Sequence, residues 1–135
     1  MIFKNETVTK GFIIAGMMNF SVLIFSRLFT NETINDFDPN VLSNFGLLMI
    51  VIWGIAYVSV AKDYQNVKWL VAVFALEKLI YGCFWTKWML NNSVSVVFKK
   101  DAMAGIFYSI YGINDWLFFV FFSVVFFYHL KKRKN

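Results

Sequence analysis

Four long apolar runs, at 11–29, 44–61, 67–90 and 103–128, are separated by three short polar stretches along this chain. Each run holds about 18 or more residues, the length that carries a helix across a hydrocarbon core of about 30 Å at about 1.5 Å per residue. Short connections between consecutive helices bring neighbours together antiparallel. The pattern therefore predicts an all-α membrane protein, a four-transmembrane-helix antiparallel up-down bundle, with residues 1–135 forming a single integral membrane domain. The first run follows Lys10 rather than a basic leader, and no A-x-A pattern comes after it, so it is expected to stay as a helix rather than be removed as a signal peptide. The connections differ in chemistry. Residues 30–43 carry Glu32, Asp36, Asp38 and the single proline, Pro39; residues 62–66 make a very short turn; residues 91–100 are polar and end on Lys99 and Lys100. No internal repeat and no Pro- or Gly-rich linker divides the chain.

Composition sharpens this. Hydrophobic residues make up 59% of the chain, aromatics 21% and charged residues 16%, with a mean hydropathy of +0.60. Soluble domains are about a quarter charged. A water-soluble enzyme of this size would have to hide 17 Phe and 5 Trp in one small core, which excludes that class. A disordered chain is excluded by the same figures.

The net charge of +5 largely reflects the terminal cations Lys131, Lys132, Arg133 and Lys134. Such a run suits an anionic inner leaflet, where each cation is worth about 1 kcal/mol, and no nucleic-acid partner is expected. Counting Lys and Arg by side gives eight against four: Lys4, Lys10, Lys62, Lys68 and the terminal four face Arg27, Lys87, Lys99 and Lys100. By the positive-inside rule both termini are expected in the cytoplasm of a multi-pass protein of the plasma (inner) membrane. Tyr64, Trp69 and Tyr128 then mark the inner interface and Trp85 and Trp88 the outer one, while Arg27 is expected to snorkel outward.

Conventional catalytic and cofactor chemistry has little support. One cysteine, Cys83, and one histidine, His129, make no disulfide framework, no Cys- or His-rich metal site and no bis-His haem, so neither metal nor cofactor is expected. Cys83 reads as a small hydrophobe in a helix. No GxGxxG, P-loop, HExxH or Gly-x-Ser-x-Gly motif is present. Gly11 and Gly16 are five apart and make no GxxxG face, and the Asn-x-Thr/Ser patterns at Asn5, Asn31 and Asn91 arise by chance in so Asn-rich a chain.

Ionisable groups at mid-helix depth are costly, and here there are three: Glu77 and Lys78 on the third run and Asp115 on the fourth. Counting about 1.5 Å per residue from the inner edge puts Glu77 roughly 13 Å deep, Asp115 and Asn19 about 12 Å and Tyr57 about 11 Å. All four helices thus place a hydrogen-bonding group in one layer. Phe74, Glu77, Lys78, Tyr81, Trp85 and Trp88 form one stripe, and Tyr108, Tyr111, Asp115 and Phe118 or Phe119 another, with Asn114 beside it. Facing stripes would bring Tyr81 and Tyr111 level above the acids. Trp53 and Tyr57 supply a third side, where Gly54 and Ala56 admit a close neighbour.

Two acids against one lysine leave an excess negative charge, which draws in a proton or a cation rather than an anion. The expected function is a polar and aromatic intramembrane pocket that binds or transports a cation, a proton or a small hydrophobic amine. In it Glu77, Lys78 and Asp115 carry the charge, and Asn114, Tyr57, Tyr81, Tyr111, Asn19 and Trp53 orient or wall the ligand. The expected partners are the lipid bilayer, such a ligand, and a homodimer or larger membrane complex, because four helices are few for a transporter. One alternative makes the cluster interhelical glue in an accessory or scaffold subunit, with Lys78 paired to Asp115 and Glu77 bonded to Tyr57 or Asn19. The other makes the two carboxyls an acid–base pair acting on a lipid-soluble substrate.

Overall fold

A computed structural model describes residues 4–132, so Arg133 and Lys134 of the basic tail lie outside the described residues. Every element among the described residues is a helix: α1 (Asn5–Phe20), α2 (Val22–Phe25), α3 (Glu32–Phe37), α4 (Asn44–Val60), α5 (Lys68–Asn91), α6 (Val94–Lys100) and α7 (Ala102–Lys132). Three stretches are long and apolar enough to cross a membrane: Asn5–Phe25, Lys68–Asn91 and Ala102–Lys132. The second apolar run makes a shorter helix, α4, of 17 residues, about 26 Å at the usual rise.

The helices differ from the apolar runs at their ends, for local reasons. The first begins earlier than expected, at Asn5, breaks at Ser21, whose N–H is shared between the carbonyls of Met17 and Met18, and stops at Phe25 rather than running to Phe29. Arg27, Leu28 and Phe29 follow in the left-handed region, with φ of 48°, 55° and 67°. A non-glycine residue held there costs about 1–2 kcal/mol. Local bonds hold the turn: Phe29 N–H donates to Ser26 Oγ at 3.0 Å, Thr30 Oγ1 to Arg27 O at 2.7 Å, and Asn31 Nδ2 to Phe25 O at 3.1 Å. The first and third connections, the acidic and the basic stretch, are also more ordered than their composition suggests, since they contain α3 and α6. Ser43 caps α4 by accepting from the Gly46 N–H at 3.1 Å, and α7 continues one turn beyond Tyr128.

Packing runs in two pairs, α1 along α4 and α5 along α7, with α6 lying on α7. Gly16 and Gly54 face each other across the first pair: a Cβ on Gly16 would stand 2.8 Å from the Gly54 carbonyl oxygen. The close approach anticipated for Gly54 is therefore made with Gly16 of α1. In the second pair Gly112 lies under the Trp85 indole, which is fixed by its Nε1–H donating to Tyr108 O at 2.7 Å.

Two apolar clusters fill the interior. One gathers Phe12, Ala15, Tyr57, Tyr64, Phe74 and Phe122; the other gathers Val22, Ile34, Leu47, Trp88, Phe107 and Tyr108. Along α1 and α2, along α5 and along α7 the residues of the two clusters fall on opposite sides of Asn19, of Glu77 and Lys78, and of Asp115. A buried polar layer thus separates two greasy ones. The outside is apolar too: Ile14, Met17, Phe45, Ile113, Leu117 and Phe127 are all exposed.

Candidate functional site

The polar layer assembles from both helix pairs. From the first come Asn19, the last but one residue of α1, and Tyr57 of α4; from the second come Glu77 and Lys78 of α5 and Asp115 of α7. All five are buried. Lys78 is the hub. Its Nζ donates to Asp115 Oδ1 at 2.9 Å and to Asn19 Oδ1 at 3.1 Å, and lies 5.4 Å from the centroid of the Tyr57 ring. Asn19 in turn donates from Nδ2 to the Ile50 carbonyl at 2.8 Å, which ties α1 to α4. Tyr57 donates its hydroxyl proton to Glu77 Oε2, and its ring packs edge-on against Phe74 at 4.8 Å.

Position along the sequence explains why these groups meet. Glu77 and Lys78 are adjacent, so their side chains leave α5 about 100° apart; one turns to Tyr57 on α4 and the other reaches between Asn19 and Asp115. The ammonium is almost fully enclosed, with the side chains of Lys78 and Asp115 exposed by 1% and 8%. Ionised groups so placed persist only when paired and hydrogen-bonded. The cluster holds one ammonium and two carboxyls, and Glu77 takes its bond from a neutral phenol rather than from the lysine.

A cavity of about 30 Å³ opens beside the cluster, and Asn19, Glu77, Tyr81, Tyr111, Asn114 and Asp115 are among its lining residues. A water needs about 10–15 Å³ on this measure, so the space takes about two waters. The Tyr111 hydroxyl is buried there without a hydrogen-bond partner among the described residues. Its ring is fixed by stacking on Phe107 at 5.1 Å. A buried O–H of this kind is costly unless something meets it.

Most of the sequence-predicted residues are therefore brought together: Asn19, Tyr57, Glu77, Lys78 and Asp115 by hydrogen bonds, and Tyr81, Tyr111 and Asn114 around the cavity. Trp53 is not among the residues that line the cavity. It packs edge-on against Phe74 at 6.1 Å, against the apolar cluster, while Ile50 is the α4 residue that reaches the cavity. Arg27 is a correction: it does not simply reach into solvent but pairs with Asp101, Nη2 to Oδ1 at 2.8 Å. Sequence reasoning missed Asp101. It accepts from the Ala104 N–H at 3.1 Å at the start of α7 and from Asn31 Nδ2 at 2.6 Å. An Asp immediately before an apolar helical run is an N-cap signal and could have been read as one.

Cys83 is exposed, and among the described residues no group of three or more His, Cys, Asp or Glu side chains is close enough to hold a metal. No family model, curated protein or solved structure matches this chain.

Proposed function

We propose that the chain is a four-span integral membrane protein of the plasma (inner) membrane, an antiparallel up-down bundle with both termini in the cytoplasm, whose buried cluster binds and passes a proton through bound water. The membrane reading is supported by three helices of spanning length and by the exposed apolar side chains around them. α4, at 17 residues, is at the short end of the range that spans.

The site reading is carried by one observation: of two buried carboxyls only Asp115 is paired to the single lysine, and Glu77, bonded to Tyr57 instead, lines a water-sized cavity into which a tyrosine hydroxyl without a partner among the described residues is buried. Asp115 holds the charge opposite Lys78. Glu77 is then the exchangeable group, a neutral carboxylic acid when loaded, with Tyr57 steadying it and cavity water bridging toward Tyr111 and Asn114. The ammonium within the cluster disfavours a metal cation. A hydrophobic amine or a lipid-soluble substrate needs a pocket of about 300 Å³ or more, so a water and a proton fit this cavity better than either.

The test is reconstitution of the full chain into liposomes, with internal pH followed by a trapped dye after a pH gradient is imposed. Flux in the wild type that is lost in Glu77→Gln is the expected result. No flux above empty liposomes, or equal flux in the variant, overturns the reading.

The second reading, a scaffold whose cluster only fixes helix register, is favoured by a specific observation: Glu77, Lys78 and Asp115 each already have a partner within the chain. A chain that shows no flux but copurifies with a larger membrane complex would be this scaffold.

A further inference from the structure

The turn between α4 and α5 and the last turns of α7 enclose a second space that shares no residue with the Glu77 cavity. It is an open cleft of about 470 Å³ lined by Gln65, Asn66, Lys68, Trp69, His129 and Lys132. Its floor is rigid. Tyr64, buried beneath the turn, stacks on Phe12 at 5.3 Å and meets the His129 imidazole edge-on at 5.3 Å. One wall is set by Trp69, which packs on Phe126 at 5.4 Å, and the Lys68 ammonium stands 5.6 Å from the Trp69 ring centroid.

The charges in this cleft are unbalanced. Among the described residues the ion pairs are Lys10–Glu6, Arg27–Asp101, Lys78–Asp115 and Lys100–Asp36, and neither Lys68 nor Lys132 takes part in one. The one acid of the turn, Asp63, accepts from Asn66 Nδ2 at 2.5 Å. Two ammonium groups, the Gln65 amide and an imidazole thus face a common space with no carboxylate among its lining residues. That set offers donors and positive charge, the complement of a phosphate group. Trp69, 66% exposed, borders the cleft itself, an apolar surface for acyl chains next to a polar seat.

We propose that this cleft binds a phosphate-bearing anion, with Lys68 and Lys132 as its two charge contacts and an anionic phospholipid headgroup as the source that the adjoining apolar surface favours. This is a built site, distinct from a basic tail that merely touches the membrane. Lys131 separates the two ideas, because it carries the same charge at the same end of α7 but lines a different surface with Ser123, Val124, Phe127 and Tyr128.

The experiment titrates the full chain, purified in neutral detergent, with short-chain phosphatidylglycerol, short-chain phosphatidylcholine and inorganic phosphate, and reads the bound fraction by native mass spectrometry. Phosphatidylglycerol is expected to bind more tightly than phosphatidylcholine. Lys68→Gln with Lys132→Gln should weaken it about thirtyfold, a factor of about five for each interfacial cation, while Lys131→Gln leaves it unchanged. Displacement of the lipid by inorganic phosphate identifies the phosphate group alone as sufficient; binding of the lipid without such displacement identifies the phospholipid as the ligand. Equal binding of the two lipids, or equal losses in Lys131→Gln and Lys132→Gln, overturns the proposal. None of these outcomes bears on proton flux through Glu77.

Discussion

Two ion pairs of nearly the same length hold this molecule, and they do opposite things. Lys78 meets Asp115 at 2.9 Å in the buried layer, and Arg27 meets Asp101 at 2.8 Å at one end of the helices. Their side chains are exposed by 1% and 8% in the first case and by 53% and 14% in the second. In water an ion pair gains little, because solvent competes for both partners; exposed pairs are worth about 0–1 kcal/mol. In the interior solvent does not stand in for a lost counter-ion, and Asn19 offers Lys78 only a neutral oxygen, so the pair is weak evidence for stability but breaking it is expensive. The end pair stabilises through the structure built around it, namely the cap of α7 and the left-handed turn. The buried pair constrains what the neighbouring Glu77 can be.

The largest effect should therefore come from separating the two carboxyls of the cluster. Asp115→Asn leaves the Lys78 ammonium buried without its counter-ion and is expected to cost about 3–5 kcal/mol. Glu77→Gln keeps the shape and an acceptor for the Tyr57 hydroxyl, and if Glu77 is a neutral acid it should cost no more than about 1 kcal/mol. Chemical unfolding of the two variants in detergent measures the contrast. Equal large losses would mean that both carboxylates are ionised partners of Lys78, which would favour the register-fixing scaffold over the proton site.

That contrast rests on residues legible in the sequence. Counting depth along four helices was enough to put Asn19, Tyr57, Glu77 and Asp115 in one layer, because helical rise is nearly invariant and an error of two residues moves a group by only about 3 Å. Helical periodicity also placed the stripe from Phe74 to Trp88 inward. Periodicity gives a face but not the neighbour across it, which is why Trp53 looked like a pocket wall and instead packs on Phe74. The end of the first helix was hidden for a different reason. Arg27, Leu28 and Phe29 carry no glycine or proline to announce a left-handed turn, and what holds them comes partly from Asp101, seventy-four positions from Arg27. The cavity beside Tyr111 depends on how side chains of five helices fail to fill a space, and no local pattern encodes that.

The end clasp gives the intermediate effect. Burial works against the Asp101 carboxylate, but the Asn31 side chain, the Ala104 N–H and the Arg27 guanidinium together outweigh it and hold its carboxyl below the ordinary value of 3.8. The folded chain therefore binds this proton less readily than the unfolded one, so the contribution to stability is complete above that ordinary value and is lost as the pH falls through the lower folded value. Asp101→Ala, which removes the cap and the partner of Arg27, should cost about 1–2 kcal/mol near neutral pH. Its loss relative to wild type should shrink in acid melts below about pH 4. A constant difference down to pH 2 would mean that the side chain acts through packing rather than charge.

Lys100 and Asp36 provide the smallest effect and the sharpest test of why the clasp matters. Their 3.2 Å pair joins α6 to α3 across sixty-four positions, but the side chains are 55% and 58% exposed. The α3 segment has better anchors: the Tyr108 hydroxyl donates to Ile34 O at 2.6 Å and Trp88 Nε1 to Phe37 O at 2.9 Å, both from residues buried in the core. With those bonds in place, solvating Lys100 releases nothing that was holding the segment. Lys100→Gln is expected to change unfolding free energy by less than about 0.5 kcal/mol, and in 1 M salt, where the screening length is about 3 Å, the difference should vanish. A loss above about 1 kcal/mol that survives salt would join Lys100 to Arg27 and Asp101 in one cooperative network. The end of the molecule would then owe its stability to charges, as its middle does, and the contrast between the two regions would be one of depth alone.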